Sequence, residues 1–197
     1  AGYFLEHMSK LDIGQYNEWA DICRNWKNKY PACTQDCYDD AEGISIYAFT
    51  NELSKYLQED AAVVTDAGST CYVVPQTLKF ALEGQRYMPS GAQAEMGYTL
   101  PSTIGTCFAR KKKSTIGIVG DGSLQMNIQE LQTAKHHNLP IKLFVWNNDG
   151  YLSIRGAQKN RFGGRYLGSS RASGVTLPNL EKICCAYGID YIRMEKL

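Results

Sequence analysis

Across 197 residues, 21 Lys or Arg stand against 20 Asp or Glu, a formal net charge of +1 at pH 7. So even a balance provides no broad basic field to steer a polyanion, and 44% hydrophobic with 21% charged residues describes an ordinary globular chain with a real core, which excludes the disordered and collagen-like classes. No apolar run reaches the roughly 18 residues of a membrane-spanning helix, and the opening AGYFLEHMSK lacks the basic-then-apolar grading of a secretory leader, so a soluble, cytoplasmic protein is expected.

Trp19, Ile22 and Trp26, three and then four residues apart with Cys23 beside them, predict an amphipathic helix over 16–29 that ends before Pro31. Residues 31–43 carry turn formers and acids without periodicity and read as a connector. Ile46, Phe49, Leu53 and Leu57 share one face of a second helix over 45–58, where the domain proper begins. Beyond it, short apolar runs at 61–66, 114–121, 141–146 and 189–194 read as strands, separated by helical segments near 70–82, 96–109, 124–138 and 178–187. Near-continuous apolar strands between helices predict an α/β fold with a parallel sheet and helices on both faces.

The remaining features are blander. Seven cysteines, none in a C-x-x-C pair, do not make a disulfide framework in a chain of this size. The closest spacings are Cys33 with Cys37 and the adjacent Cys184 and Cys185, but His7, His136 and His137 stand at no ligand spacing from them, so buried free thiols are expected. Arg110 to Lys113 reads as a solvated basic turn without the aromatic residues of a nucleic-acid patch, and His136-His137 as surface residues at a helix end. Arg155, Arg161 and Arg165 lie in and around RFGGRYLGSSR, either a plain surface loop or a lid over a nearby site.

In parallel α/β sheets ligands sit beyond the carboxyl ends of the strands. The first strand runs through Asp66 into Ala67-Gly68-Ser69-Thr70, where glycine admits a close ligand and the hydroxyls and amides open a helix N-terminus suited to an anion. The next ends in Gly120-Asp121-Gly122-Ser123, a tight bend that places a carboxylate beside the amides of another helix N-terminus. The third ends in Asn147-Asn148-Asp149-Gly150. One carboxylate from Asp121 and one amide oxygen from Asn148 suit magnesium, with diphosphate oxygens, a backbone carbonyl and water completing the shell. Each segment alone also reads as a turn or an N-cap.

Gly120-Asp121-Gly122, then 24 residues, then Asn147-Asn148 resembles the thiamine diphosphate signature of the acetolactate synthase and pyruvate decarboxylase superfamily. The intervening SLQMNIQELQTAKHHNLPIKLFVW is similar to the acetolactate synthase version, and the resemblance covers about residues 45–194. It implies thiamine diphosphate and Mg2+ as cofactors, with Asp121 and Asn148 as magnesium ligands through their side chains, the carbonyl of Gly150 as the third protein ligand, and Asn147 bracing the loop. Ala67, Gly68, Ser69 and Thr70, with Gly120, Gly122 and Ser123, would hold the diphosphate. In the stretch 91–101, Met96 takes the place of the bulky residue that holds the two cofactor rings in a V, and the carbonyl of Ala94 would accept from the aminopyrimidine.

This chain departs from the family at Ser69-Thr70, where acetolactate synthases usually carry Gln-His, and near Ala157, where they tend to have tryptophan. The resemblance implies residues 1–44 as an interdomain helix and connector and 45–197 as the diphosphate-binding domain of an enzyme acting on 2-oxo acids by decarboxylation with carboligation. A decarboxylase or lyase without carboligation, or a non-catalytic phosphate-binding module, are the alternatives. A G-x-G-x-x-G dinucleotide fingerprint is absent from Asp66–Thr70. Neither Glu95 nor Glu130 sits in the motif of the glutamate that protonates the pyrimidine. That group is expected from a pyrimidine-binding domain, in the same full-length chain or another subunit of a homo-oligomer, leaving this chain inactive alone.

Overall fold

The strands β1 (Ala62–Thr65), β2 (Arg86–Pro89), β3 (Thr115–Gly120) and β4 (Ile141–Trp146) form an all-parallel sheet in the order β2-β1-β3-β4. The computed structural model that shows them describes residues 1–12, 14, 16–39, 43–91 and 93–197, so part of the predicted connector, 40–42, lies outside the described residues. Register is continuous across the centre, with Thr65 opposite Ile118 and Gly120 opposite Trp146.

The helices are α1 (Gly2–Met8), α2 (Asn17–Lys29), α3 (Ile46–Tyr56), α4 (Ser69–Thr77), α5 (Thr99–Ala109), α6 (Asp121–Leu124), α7 (Leu131–His136), α8 (Leu152–Arg161) and α9 (Leu180–Tyr187). Alternating strand residues feed two cores, as the two-residue period of a strand requires. On one face Val63, Ile116 and Ile118 pack with Phe49 and Leu57, from α3 and its C-terminal end, and Val74 of α4. On the other, Val119 packs with Leu100 and Ile104 of α5 and with Leu124, Leu131 and Ala134, joined by Leu143, Val145 and Ile183. The α/β class with helices on both faces is therefore observed. The helix α5 lies close on its face because Gly117 has no side chain: a Cβ there would stand 2.7 Å from both Thr103 Oγ1 and Leu143 Cδ1.

Several boundaries differ from the sequence reading. Residues 189–194 form no strand; Ile189 packs on the second core, but Tyr191, Ile192 and Met194 are exposed and no neighbouring strand takes up their backbone. The edge strand β2 was hidden because Arg86, Met88 and Pro89 are exposed and make no apolar run. The helix predicted over 70–82 stops at Thr77, after which the Lys79 amide donates to Ser54 Oγ (3.0 Å). That predicted over 124–138 is broken into α6, a 3-10 stretch and α7, with Asn127 at φ −138°. The helix α8 was not anticipated. Of the seven free cysteines only Cys107 is buried, which corrects the expectation of buried thiols; the others lie in helices and loops outside the two cores.

The helix α2 forms as predicted, with Trp19, Ile22 and Trp26 exposed. His136 and His137 are exposed, as are Lys111, Lys112 and Lys113 of the basic turn, with Lys113 reaching the Asp60 carboxylate, whereas Arg110 is half-buried and donates to the Asp60 carbonyl. Among the described residues no helix is long and apolar enough to cross a membrane.

Candidate functional site

The chain leaves β1 for β2 on one side and later returns to β3 on the other, so the topological switch point falls between β1 and β3, the place beyond the carboxyl ends where parallel α/β sheets bind ligands. Asp66 stands there, fully buried. Its Oδ1 accepts from the Ala67 amide (2.7 Å) and from the Thr70 hydroxyl (3.4 Å), and its Oδ2 accepts from the Ser123 hydroxyl (2.6 Å) and the Thr99 amide (3.3 Å). One carboxylate thus ties the β1–α4 turn, the N-terminus of α5 and the start of α6 into one unit. A buried carboxylate is stable only with such donors around it. The only sequence signal for this role was an acid at the end of an apolar strand.

Asp121, 2% exposed, opens α6. Its Oδ1 accepts from the Gly122 amide (2.7 Å), while its Oδ2 accepts from the amides of Asn148 (3.0 Å) and Gly150 (3.2 Å). The β3–α6 turn and the loop after β4 are therefore drawn onto one carboxylate. All its partners are neutral amides, so its charge has no cationic side chain among the described residues. Of the carboxylate's roughly four acceptor sites, one on Oδ1 remains for a cation. No three His, Cys, Asp or Glu side chains come together among the described residues, so a metal here would rest on Asp121 with neutral oxygens. The Asn147 Oδ1 accepts from the Asp149 amide (3.3 Å), inside the loop.

Diphosphate-loop candidates lie alongside. Ala67, Gly68 and Ser69 are half-buried, and the Gly68 Cα approaches the start of α8, where Ser153 Oγ would touch a Cβ at 3.4 Å. The Thr70 hydroxyl donates to the Ala67 carbonyl (3.0 Å), and that of Ser69 lies 3.1 Å from Tyr72 Oη. The Ser123 hydroxyl accepts from the Gly97 amide (2.7 Å) as it donates to Asp66, so it fixes the turn after Met96.

Of the stretch 91–101, residue 92 lies outside the described residues. Met96 belongs to neither core; it is half-buried and lines an open cavity of about 540 Å³ with Glu95, Tyr98, Pro101 and Asn127. Gly97, at φ +84°, could carry no side chain, because a Cβ would stand 2.9 Å from both Asn127 Nδ2 and Met126 Cβ. The Asn127 side chain donates to the Gly97 carbonyl (2.8 Å), which accounts for the break in the helix at that residue. Ala94 adopts φ +51°, a left-handed conformation that turns its peptide groups. Glu95 is exposed; a hydrogen bond from the Ser90 hydroxyl, then one from its own amide, holds its carboxyl below the ordinary range. Glu130, at the end of the 3-10 stretch, receives a hydrogen bond from Thr133 in the first turn of α7.

The predicted surface loop or lid divides in two. Phe162 and Leu167 are exposed, but Ser169 is fully buried and Gly150 pairs with Ser170 in an antiparallel bridge. Arg155 is turned toward the loop after β4, whereas Arg161 and Arg165 are exposed. Tyr151 and Ser169 join the site as residues that sequence reasoning did not place there, and Arg155, expected in a surface loop or a lid, lies in a helix and bonds the loop after β4.

The chain matches the family model for the thiamine pyrophosphate enzyme C-terminal TPP-binding domain over residues 66–197. It is similar to the acetolactate synthase large subunits of Cyanidium caldarium (32% identity over 96% of this chain) and Porphyra purpurea (32% over 89%), and to that of Lactococcus lactis (28% over 91%). It spans 31%, 28% and 30% of those relatives' lengths. With the parallel sheet and this family match over residues 66–197, the chain belongs to the thiamine pyrophosphate enzymes, as their C-terminal TPP-binding domain.

Proposed function

We propose that the switch point between β1 and β3 holds the diphosphate of thiamine diphosphate through magnesium, in an acetolactate synthase-like enzyme that decarboxylates a 2-oxo acid and joins the product to a second carbonyl. The observation that carries this reading is the convergence of Asp121, Asn148 and Gly150 within hydrogen-bond reach on one buried carboxylate. Asp121 and Asn148 would hold the cation through side-chain oxygens and Gly150 through its carbonyl. Ala67, Gly68, Ser69 and Thr70, with Gly120, Gly122, Ser123 and Asn147, would line the diphosphate.

When bound, the cofactor supplies the nucleophilic carbon and the electron sink for loss of carbon dioxide. The chain's own part is to orient: Met96 would brace the two rings, and the carbonyl of Ala94 would accept from the aminopyrimidine. The exposure of Trp19, Ile22 and Trp26 on α2 supports 1–44 as a segment between domains, with 45–197 as the cofactor domain. A pyrimidine-binding domain, in a longer chain or a second subunit of a cytoplasmic homo-oligomer, would supply the carboxylic acid that protonates the pyrimidine. Glu95 is committed to Ser90 and Glu130 to Thr133. The test is an assay of pyruvate and other 2-oxo acids with this chain alone and with an added pyrimidine-binding domain. Turnover only in the combination is expected, and turnover by the chain alone at a full rate would refute it.

A further inference from the structure

We propose that Arg155 is a positioning residue: its guanidinium holds the 147–150 loop in the shape that presents Asn148 and Gly150 beside Asp121, and so sets how tightly magnesium and the diphosphate are held. The proposal rests on the function proposed above. Arg155 lies in the first turn of α8, and side chains on a helix lean toward its N-terminus, which sends this one back over the loop. Its Nη2 donates to the Asn148 carbonyl (2.8 Å) and lies 3.5 Å from Asn148 Oδ1. Its Nη1 donates to the carbonyls of Ser169 (3.0 Å) and Asp149 (3.2 Å).

All these acceptors are neutral oxygens. No carboxylate pairs with Arg155 among the described residues, so what the guanidinium contributes is a planar fork of fixed geometry rather than an ion pair. The loop is consequently strung between two groups: the amides of Asn148 and Gly150 face the Asp121 carboxylate, and the carbonyls of Asn148 and Asp149 face Arg155. The Ser169 carbonyl is a fixed reference point, because it also accepts from the Tyr151 amide (3.0 Å), while the Ser169 hydroxyl donates to Gln158 Oε1 (2.7 Å). Gly150 fits between them without slack: a Cβ would stand 2.6 Å from the Ser169 carbonyl oxygen and 3.1 Å from Arg155 Nη1.

Asp149 is exposed and Asn148 half-exposed, so water can replace the fork at their carbonyls and the fold should survive its loss, whereas the shape of the loop should not. The test uses Arg155→Lys, which keeps the charge and loses the fork, and Arg155→Gln, which loses both. In the ligand-free chain, amide hydrogen exchange at 148–151 is expected to accelerate at least about tenfold in both variants while β3 amides and the melting temperature hold. In the presence of thiamine diphosphate, the magnesium concentration for half-saturation should rise about 10- to 100-fold in both, the usual range for losing a group that orients a ligand. Wild-type exchange rates in the variants, or restoration of wild-type magnesium uptake by lysine, would overturn the proposal. Failure of the wild-type chain to take up magnesium and diphosphate would refute the proposed function instead, and the exchange rates would still decide the role of Arg155.

Discussion

Replacing Asp66 by asparagine keeps the shape of the side chain and changes one oxygen into a donor, in a place where only donors surround it. If the amide group takes the Oδ2 position, it faces the Ser123 hydroxyl and the Thr99 amide; if it takes the Oδ1 position, it faces the Ala67 amide and the Thr70 hydroxyl. The second orientation is the less damaging, because the Thr70 hydroxyl already has the Ala67 carbonyl as an acceptor. Even so, one hydrogen bond to a charged group disappears and the Ala67 amide is left facing a donor. A charge-assisted hydrogen bond contributes about 1.5–3 kcal/mol and an unsatisfied buried donor costs about 1–3 kcal/mol, so a loss of about 3 kcal/mol is expected. For a domain of this size that lowers the melting temperature by about 6–12 °C, measurable by circular dichroism at neutral pH. A variant melting within about 2 °C of wild type would refute the idea that Asp66 ties the three segments together.

Other expected outcomes follow from single contacts. A Cβ at Gly122 would stand 2.4 Å from Tyr151 Cε1, so Gly122→Ala should destabilise by about 1–3 kcal/mol, and adding Tyr151→Ala should recover part of that loss; equal melting of the single and double variants would contradict the clash. Because the folded Glu95 carboxyl titrates below its ordinary value near 4.5, its bond to Ser90 is in place above that pH and is lost as pH falls through the lower folded value. In Ser90→Ala, the Glu95 titration followed by NMR should move up toward that ordinary value, and an unmoved titration would count against the assigned cause. In the complete enzyme, Met96→Ala should lower kcat by at least about tenfold with little change in cofactor affinity, since Met96 orients the rings rather than holding the diphosphate; an unchanged kcat would make it an ordinary packing residue.

Those parts of the molecule that depend on near neighbours in sequence were readable in advance. The strands β1, β3 and β4 show as apolar runs because helices cover both their faces, and α3 shows as a stripe from Ile46 to Leu57 because only one side is buried. The edge strand β2 hides because its side chains are largely exposed. Residues 189–194 carry the right composition, but a strand needs a partner backbone, which composition does not report. At the site, the Gly-Asp-Gly and Asn-Asn segments were legible because each is a compact turn at a strand end, readable from adjacent residues. Asp66 acts through Ser123, 57 residues away, and Arg155 through Ser169, 14 residues away. Such ties exist only after the chain has folded, so spacing could not disclose them.

The central claim is that magnesium links Asp121 and Asn148 to the diphosphate. Calorimetric titration of thiamine diphosphate into wild type and Asp121→Ala, each with magnesium and with a chelator, tests it directly. Tight uptake by wild type with magnesium, and weak uptake in the other three conditions, is the predicted result. Equal affinity in all four would contradict the account.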